Sequence, residues 1–214
     1  MNWLGKILAF FNKISVKNGQ KSPKSGKEYV KIRKKTAKNG VKIHKKVDWK
    51  NPKSKISKYF TVHEALWLPS WGMHHIPNAA EKREILKTAK KMDVIRKFIR
   101  VPIKVNVWMR PQKANCPGSK WHGKSYNRYV YEKYVWAKKR LTKDQMKKKR
   151  APNSAHKYGK AVDWVPKRLT IAKVRKKLIP KLSVWKIRVE DIKGNWIHVD
   201  TNPPGRSGKR FFKP

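Results

Sequence analysis

The chain has 214 residues, and 57 Lys and Arg against 12 Asp and Glu leave a formal net charge of +45. Such a field attracts polyanions of every kind (nucleic acid, teichoic acid, lipopolysaccharide, anionic lipid), and charge alone does not choose among them. A single cysteine, Cys116, excludes an intramolecular disulfide and a Cys-rich zinc site, and no apolar run approaches the ~20 residues of a membrane span.

The length suits one ordinary domain plus an extension, and ten Trp with an apolar share of 38% indicate that part of the chain can fold around a core. In residues 1–14, Trp3, Leu4, Ile7, Leu8, Phe11 and Ile14 recur at helical spacing, with Lys6 and Lys13 off the stripe. This predicts an amphipathic helix that either lies on anionic lipid or packs against the domain. Lys6 interrupts the apolar run and argues against a cleavable signal. Residues 15–56 are rich in Lys, Asn, Gly, Ser and Pro, and their only acids are Glu28 and Asp48. That composition buries too little to offset chain entropy and predicts a basic flexible arm, in which Tyr29-Val30-Lys31-Ile32 could form a strand on binding.

Residues 57–214 read as one mixed α+β domain. Ile85, Leu86, Ala89, Met92, Ile95 and Ile99 predict a helix from Ala79 to about Arg100, and Pro102 opens a strand running to Trp108. The aromatic stretch Ser125–Ala137 reads as helical, and Lys147-Lys148-Lys149-Arg150 as a charged loop. A short strand over Ala161–Val165 carries Asp163, and a helix over Thr170–Leu178 stops at Pro180. Val184–Val189 and Trp196–Asp200 form a hairpin through Lys193-Gly194-Asn195.

Two stretches carry chemistry: Ser154-Ala155-His156-Lys157-Tyr158-Gly159-Lys160-Ala161-Val162-Asp163 and Trp196-Ile197-His198-Val199-Asp200. His156, Asp163 and His198 supply two imidazoles and a carboxylate, a set that holds a catalytic zinc and leaves a fourth position to water. His156 and Asp163 are too far apart for one helical turn. A loop leading into a strand must join them, and Gly159 with Ala161 suits a close turn. Asp200 points the same way as His198 along a strand, where it either holds that imidazole's second nitrogen or is a strand-end carboxylate. Zinc hydrolysis also needs a base. Near His198 only Glu190, Asp191 and Asp200 are acids, and Glu190, ending the first hairpin strand, is the candidate. Cys116, in a Pro-Gly-Ser loop, reads as a plain loop residue. His63, Glu64, His74 and His75 read as packing and capping groups, not a second metal site.

These stretches resemble the zinc D-Ala-D-Ala carboxypeptidase family, which includes phage endolysins. Its signature S-x-H-x-x-G-x-A-x-D, followed by a short H-x-D, is matched from Ser154 to Asp163 and from His198 to Asp200. Tyr59–Glu64 with Leu68–Trp71, Val105–Pro111, Asn115–Lys120 and the tail Gly208–Pro214 also resemble phage members, so the likeness spans about residues 57–214. The resemblance implies a small antiparallel sheet flanked by helices (hedgehog/DD-peptidase-like), with zinc on His156, Asp163 and His198. It further implies that Arg110 binds substrate or steadies negative charge, and that Ser154 helps hold the substrate or its loop. Many members carry an acid three residues before the third ligand as the base; here Asn195 stands there and cannot take a proton.

The expected function is a monomeric peptidase cleaving peptidoglycan stem peptides, as D-Ala-D-Ala carboxypeptidase or L-Ala-D-Glu endopeptidase. Its basic arm would concentrate it on anionic envelope polymers or lipids. The resemblance also implies residence in viral or host cytoplasm until lysis or a holin gives access to the wall. Two alternatives stand beside it: a base-less peptidase fold that binds wall or polyanion, and a basic nucleic-acid-binding structural protein.

Overall fold

The structure is a computed structural model of the chain, and it describes residues 47–136, 154–191, 194–205 and 207–213, with Thr142 and Gln145. The expected helix 1–14, the arm as far as residue 46 and the charged run 147–150 lie outside the described residues. The chain divides into Met1–Lys46 and Val47–Pro214. The folded unit therefore begins at Val47, before the expected boundary at residue 57. Side-chain caps from Asp48 and Asn51 hold the first turns. Ile56 is buried, and Val47 and Trp49 pack on the core.

The domain is α+β. Helix α1 (Val62–Leu66) is set by a capping box in which the Thr61 hydroxyl accepts from the Glu64 N–H and the Glu64 carboxylate accepts from the Thr61 N–H. It leads into the two-stranded antiparallel pair β1 (Trp67–Leu68) and β2 (Met73–His74). Helix α2 (Ala79–Ile99) starts with a second capping box, Asn78 with Glu81, and ends at Arg100, whose φ of 57° is left-handed. Ile85, Ala89, Met92, Ile95 and Ile99 recur every three or four residues and are buried, so one stripe of α2 closes the core. The helix forms where its periodicity predicts.

Next come β3 (Ile103–Val107), α3 (Tyr126–Val130), a π-helical turn Tyr131–Trp136 and a 3-10 turn Ala155–Tyr158. Strand β4 (Ala161–Pro166), helix α4 (Ile171–Leu178), a 3-10 turn Ile179–Lys181 and the single-turn α5 (Leu182–Trp185) follow. Strands β5 (Arg188–Glu190), β6 (Ile197–Asp200) and β7 (Phe211–Phe212) complete the chain. The main sheet runs β3-β4-β6-β5-β7, antiparallel except for the parallel pairing of β5 with β7.

One expected element shifts. The hairpin's first strand begins at Arg188, not Val184, because helical turns continue past Pro180. Proline at the start of a new turn costs no hydrogen bond. Leu182 and Ile187 then face the core, and Lys186, with φ 52°, reverses the chain into β5. Among the described residues, no helix is long and apolar enough to cross a membrane.

Candidate metal centre

Strand pairing builds the site. Asp163 on β4 lies directly opposite His198 on β6. Directly opposed residues share a sheet face. The β5–β6 register pairs Arg188 with Asp200 and Val189 with Val199, and its continuation sets Glu190 opposite His198. Asp163, His198 and Glu190 thus form a row across three neighbouring strands. A second row on the same face, two residues away, holds Asp200 and Arg188.

His156 arrives from the 3-10 turn before β4. Gly159 makes that turn possible: its φ is +73°, and a Cβ there would meet Ile85 Cγ1 at 2.6 Å and Met109 Sδ at 3.2 Å. Two bonds latch the turn to the residue after β3. The Trp108 indole N–H donates to the Gly159 carbonyl at 3.0 Å, and His156 Nδ1 meets the Trp108 carbonyl at 2.8 Å. A carbonyl only accepts, so Nδ1 carries the proton and Nε2 presents a lone pair inward.

That lone pair meets two other donors. His156 Nε2 is 3.2 Å from Asp163 Oδ1 and 3.1 Å from His198 Nδ1, and His198 Nδ1 is 2.8 Å from Asp163 Oδ1. Among the described residues, this is the one group of three or more metal-binding side chains whose ligand atoms converge. Tetrahedral ligands at about 2.0–2.1 Å from a zinc ion stand about 3.3 Å from one another, close to these separations. His198 turns its other nitrogen, Nε2, to Asp200 Oδ2 at 3.4 Å. Protonated there, it too would present a lone pair, and two facing lone pairs are a cradle for a cation. The donor set fits zinc.

Burial lowers the pKa of His156, while hydrogen bonds to Asp163 and Asp200 outweigh burial at His198 and push it up to about 9. Burial would raise Asp163, but His156 and Arg110 prevail and hold its carboxyl well below the usual range. Arg110 follows β3, donates its backbone N–H to the His156 carbonyl at 3.0 Å and makes an ion pair from Nη2 to Asp163 Oδ2. Among the described residues, its buried Nε has no hydrogen-bond partner.

The remaining sequence candidates divide. Burial raises the pKa of Glu190, opposed chiefly by the charge of His198, so this acid sits beside the triad and holds its proton more readily than an exposed one. Asp200 is 1% exposed, and its carboxyl is held low despite burial by His198 and Arg188. Ser154 begins the His156 turn, yet its hydroxyl makes no capping bond there. Asn195 is exposed in the bend before β6.

Cys116 is buried, its thiol pushed up by burial and directed at the His74 carbonyl, which suits a loop residue and not a nucleophile. His75 bonds Glu81 at the α2 cap, and Glu64 caps α1. Sequence reasoning missed Tyr131. Its phenol is raised by burial, takes a hydrogen bond from Arg110 and feels the charges of Glu190 and Asp163, so it borders the site from the π-helical turn. No spacing marks it out among the aromatics of this stretch.

No family model, curated protein or solved structure matches the chain. The functional reading therefore rests on the residues themselves and on the motif resemblance.

Proposed function

We propose that residues 47–214 form a zinc-dependent peptidase that cleaves peptidoglycan stem peptides, of the D-Ala-D-Ala carboxypeptidase type found in phage lysins. The observation that carries this reading is the convergence of His156 Nε2, Asp163 Oδ1 and His198 Nδ1 within 3.2 Å of one another. The ten-residue signature and the short H-x-D support it further.

His156, Asp163 and His198 would hold the zinc, whose chemistry is that of a Lewis acid polarising the scissile carbonyl and making water nucleophilic near neutral pH. The protein's own groups do the rest. Glu190 takes the proton of the attacking water on its carboxylate and passes it to the leaving amine. Its raised pKa brings it nearer the working pH, where such a transfer is efficient. Arg110 keeps Asp163 ionised through Nη2, and the part of its guanidinium that is exposed can meet a substrate oxygen or carboxylate. Tyr131, bonded to Arg110, fixes the guanidinium plane. The substrate is peptidoglycan, and the net charge of +45 favours residence on an anionic envelope, with the protein acting as a monomer.

Asn195 favours a second reading, in which the fold keeps its metal but only binds wall or polyanion. Digestion of purified peptidoglycan by the zinc-loaded protein, with mass spectrometry of the fragments, separates the two. New stem-peptide ends that vanish in His156→Ala establish the peptidase and name its bond. Intact peptidoglycan despite bound zinc leaves the binding module.

A further inference from the structure

The tail has no part in the chemistry above, although β7 pairs with the strand that carries Glu190. Its attachment is specific. The Val189 N–H donates to the Arg210 carbonyl at 2.8 Å, the Asp191 N–H to the Phe212 carbonyl at 2.6 Å, and Phe212 is the register partner of Glu190. This seats the Phe212 ring diagonally beside Arg188, whose guanidinium carbon lies 4.5 Å from the ring centroid.

Arg188 in turn grips Asp200 with both oxygens engaged: Nε donates to Oδ1 at 2.8 Å and Nη2 to Oδ2 at 2.9 Å. The Asn202 N–H donates to Oδ1 at 2.9 Å, which leaves Oδ2 facing His198 Nε2 at 3.4 Å. A buried carboxylate with this many donors cannot rotate or take a proton without losing several charge-assisted bonds. The carboxylate is therefore fixed in place, and its charge 3.4 Å from His198 Nε2 favours the ring orientation that turns Nδ1 to Asp163 and His156.

We infer that the C-terminal strand positions the third metal ligand, acting through Phe212 on Arg188, Arg188 on Asp200 and Asp200 on the His198 ring. This rests on the zinc reading above. Arg188 and Phe212 are positioning residues that touch neither metal nor substrate. The ring face matters as well as its bulk, since it fixes the plane in which the guanidinium must lie to bridge both Asp200 oxygens.

The test uses the full chain, zinc affinity by chelator competition and the visible spectrum of the Co²⁺-loaded protein. Loss of a partner that orients a ligand weakens metal binding by about 10–100-fold, and the ring face acts on that partner through Arg188, so Phe212→Leu, which keeps apolar cover without the ring face, should weaken zinc by about three- to tenfold and shift the cobalt bands. Phe212→Tyr should restore both. Arg188→Lys, a point charge that cannot bridge two oxygens, should weaken zinc without unfolding the metal-free protein. Wild-type affinity and spectrum in Phe212→Leu and Arg188→Lys would overturn the relay while leaving the zinc reading intact. Failure of Phe212→Tyr to rescue would reduce the tail to a packing element and overturn it too. A wild-type chain that binds no zinc overturns both.

Discussion

Two parts of this domain concentrate histidine, and only one of them forms a cradle. Around α1 and β2, His63 Nδ1 meets His74 Nε2 at 2.8 Å, with both rings against Trp67, while His75 is spent on Glu81 and Glu64 on Thr61. Among the described residues, both acids there, Glu64 and Glu81, are committed to helix caps, and no carboxylate joins the histidine pair. Across β4 and β6, strand register delivers a carboxylate between two imidazoles whose outer nitrogens are already occupied by the Trp108 carbonyl and by Asp200. Residue type is shared by the two clusters. What differs is where the backs of the rings are bound, because that decides which lone pairs converge.

The two clusters should part most widely where their acids act. Glu190→Gln removes the proposed base and should lower turnover by about 10²–10⁴-fold with zinc binding intact, as read by peptidoglycan digestion and chelator competition. Thr61→Ala removes the cap that Glu64 shares and should cost about 1 kcal/mol in denaturant unfolding without changing turnover. Equal losses from both would erase the distinction.

A smaller contrast lies in the glycines of the two regions. Gly159→Ala forces a left-handed residue into Ile85 and should cost about 2–4 kcal/mol, from strain near 1 kcal/mol plus overpacking. At about 2–4 °C per kcal/mol, thermal melting should fall by roughly 4–16 °C. Gly72→Ala has the same backbone strain, φ +65°, with open space around it. It should cost only about 1 kcal/mol. Matching melting shifts would deny that the His156 turn is tightly packed.

The smallest effect is electrostatic, and His198 and His74 carry opposite signs. In the metal-free protein His198 is raised to about 9 from an unfolded value near 6.5, so its stabilisation is fully present below pH 6.5 and is lost as pH rises through 9. His74 is lowered, by burial and then by His63, so below the unfolded value the unfolded state binds more protons and stability improves as pH rises. Zinc must displace the His198 proton, so its affinity should rise up to about tenfold per pH unit below 9, with proton release visible by calorimetry in buffers of different ionisation enthalpy. A pH-independent affinity between pH 6.5 and 8.5 would contradict the assignment of His198.

Much of this was legible in the chain. The α2 periodicity locates its helix because one apolar stripe serves one core. The convergence of the triad is legible because the motif fixes residue types at fixed spacing, and the scarcity of acids near His198 singles out Glu190, which the register sets opposite it. Other features depend on register or tertiary context. Val184 and Trp185 have strand-like composition, yet they continue a helical turn in which Leu182 can face the core. Residues 47–56 read as arm because their composition is polar, while a few groups, among them Ile56 and Trp49, suffice to dock them. Tyr131, Arg188 and Phe212 reach the site through a π-helical turn and a parallel strand pairing, and neither leaves a periodic trace.

The most direct test of the central claim is a zinc titration of the full chain beside His156→Ala and His63→Ala. The account predicts one tight zinc per chain, weakened on the order of a hundredfold or more in His156→Ala, as expected when one of about four ligands sharing 10–16 kcal/mol is removed. It predicts wild-type affinity in His63→Ala. A chain that binds no zinc, or one whose zinc is lost with His63 and kept without His156, would contradict it.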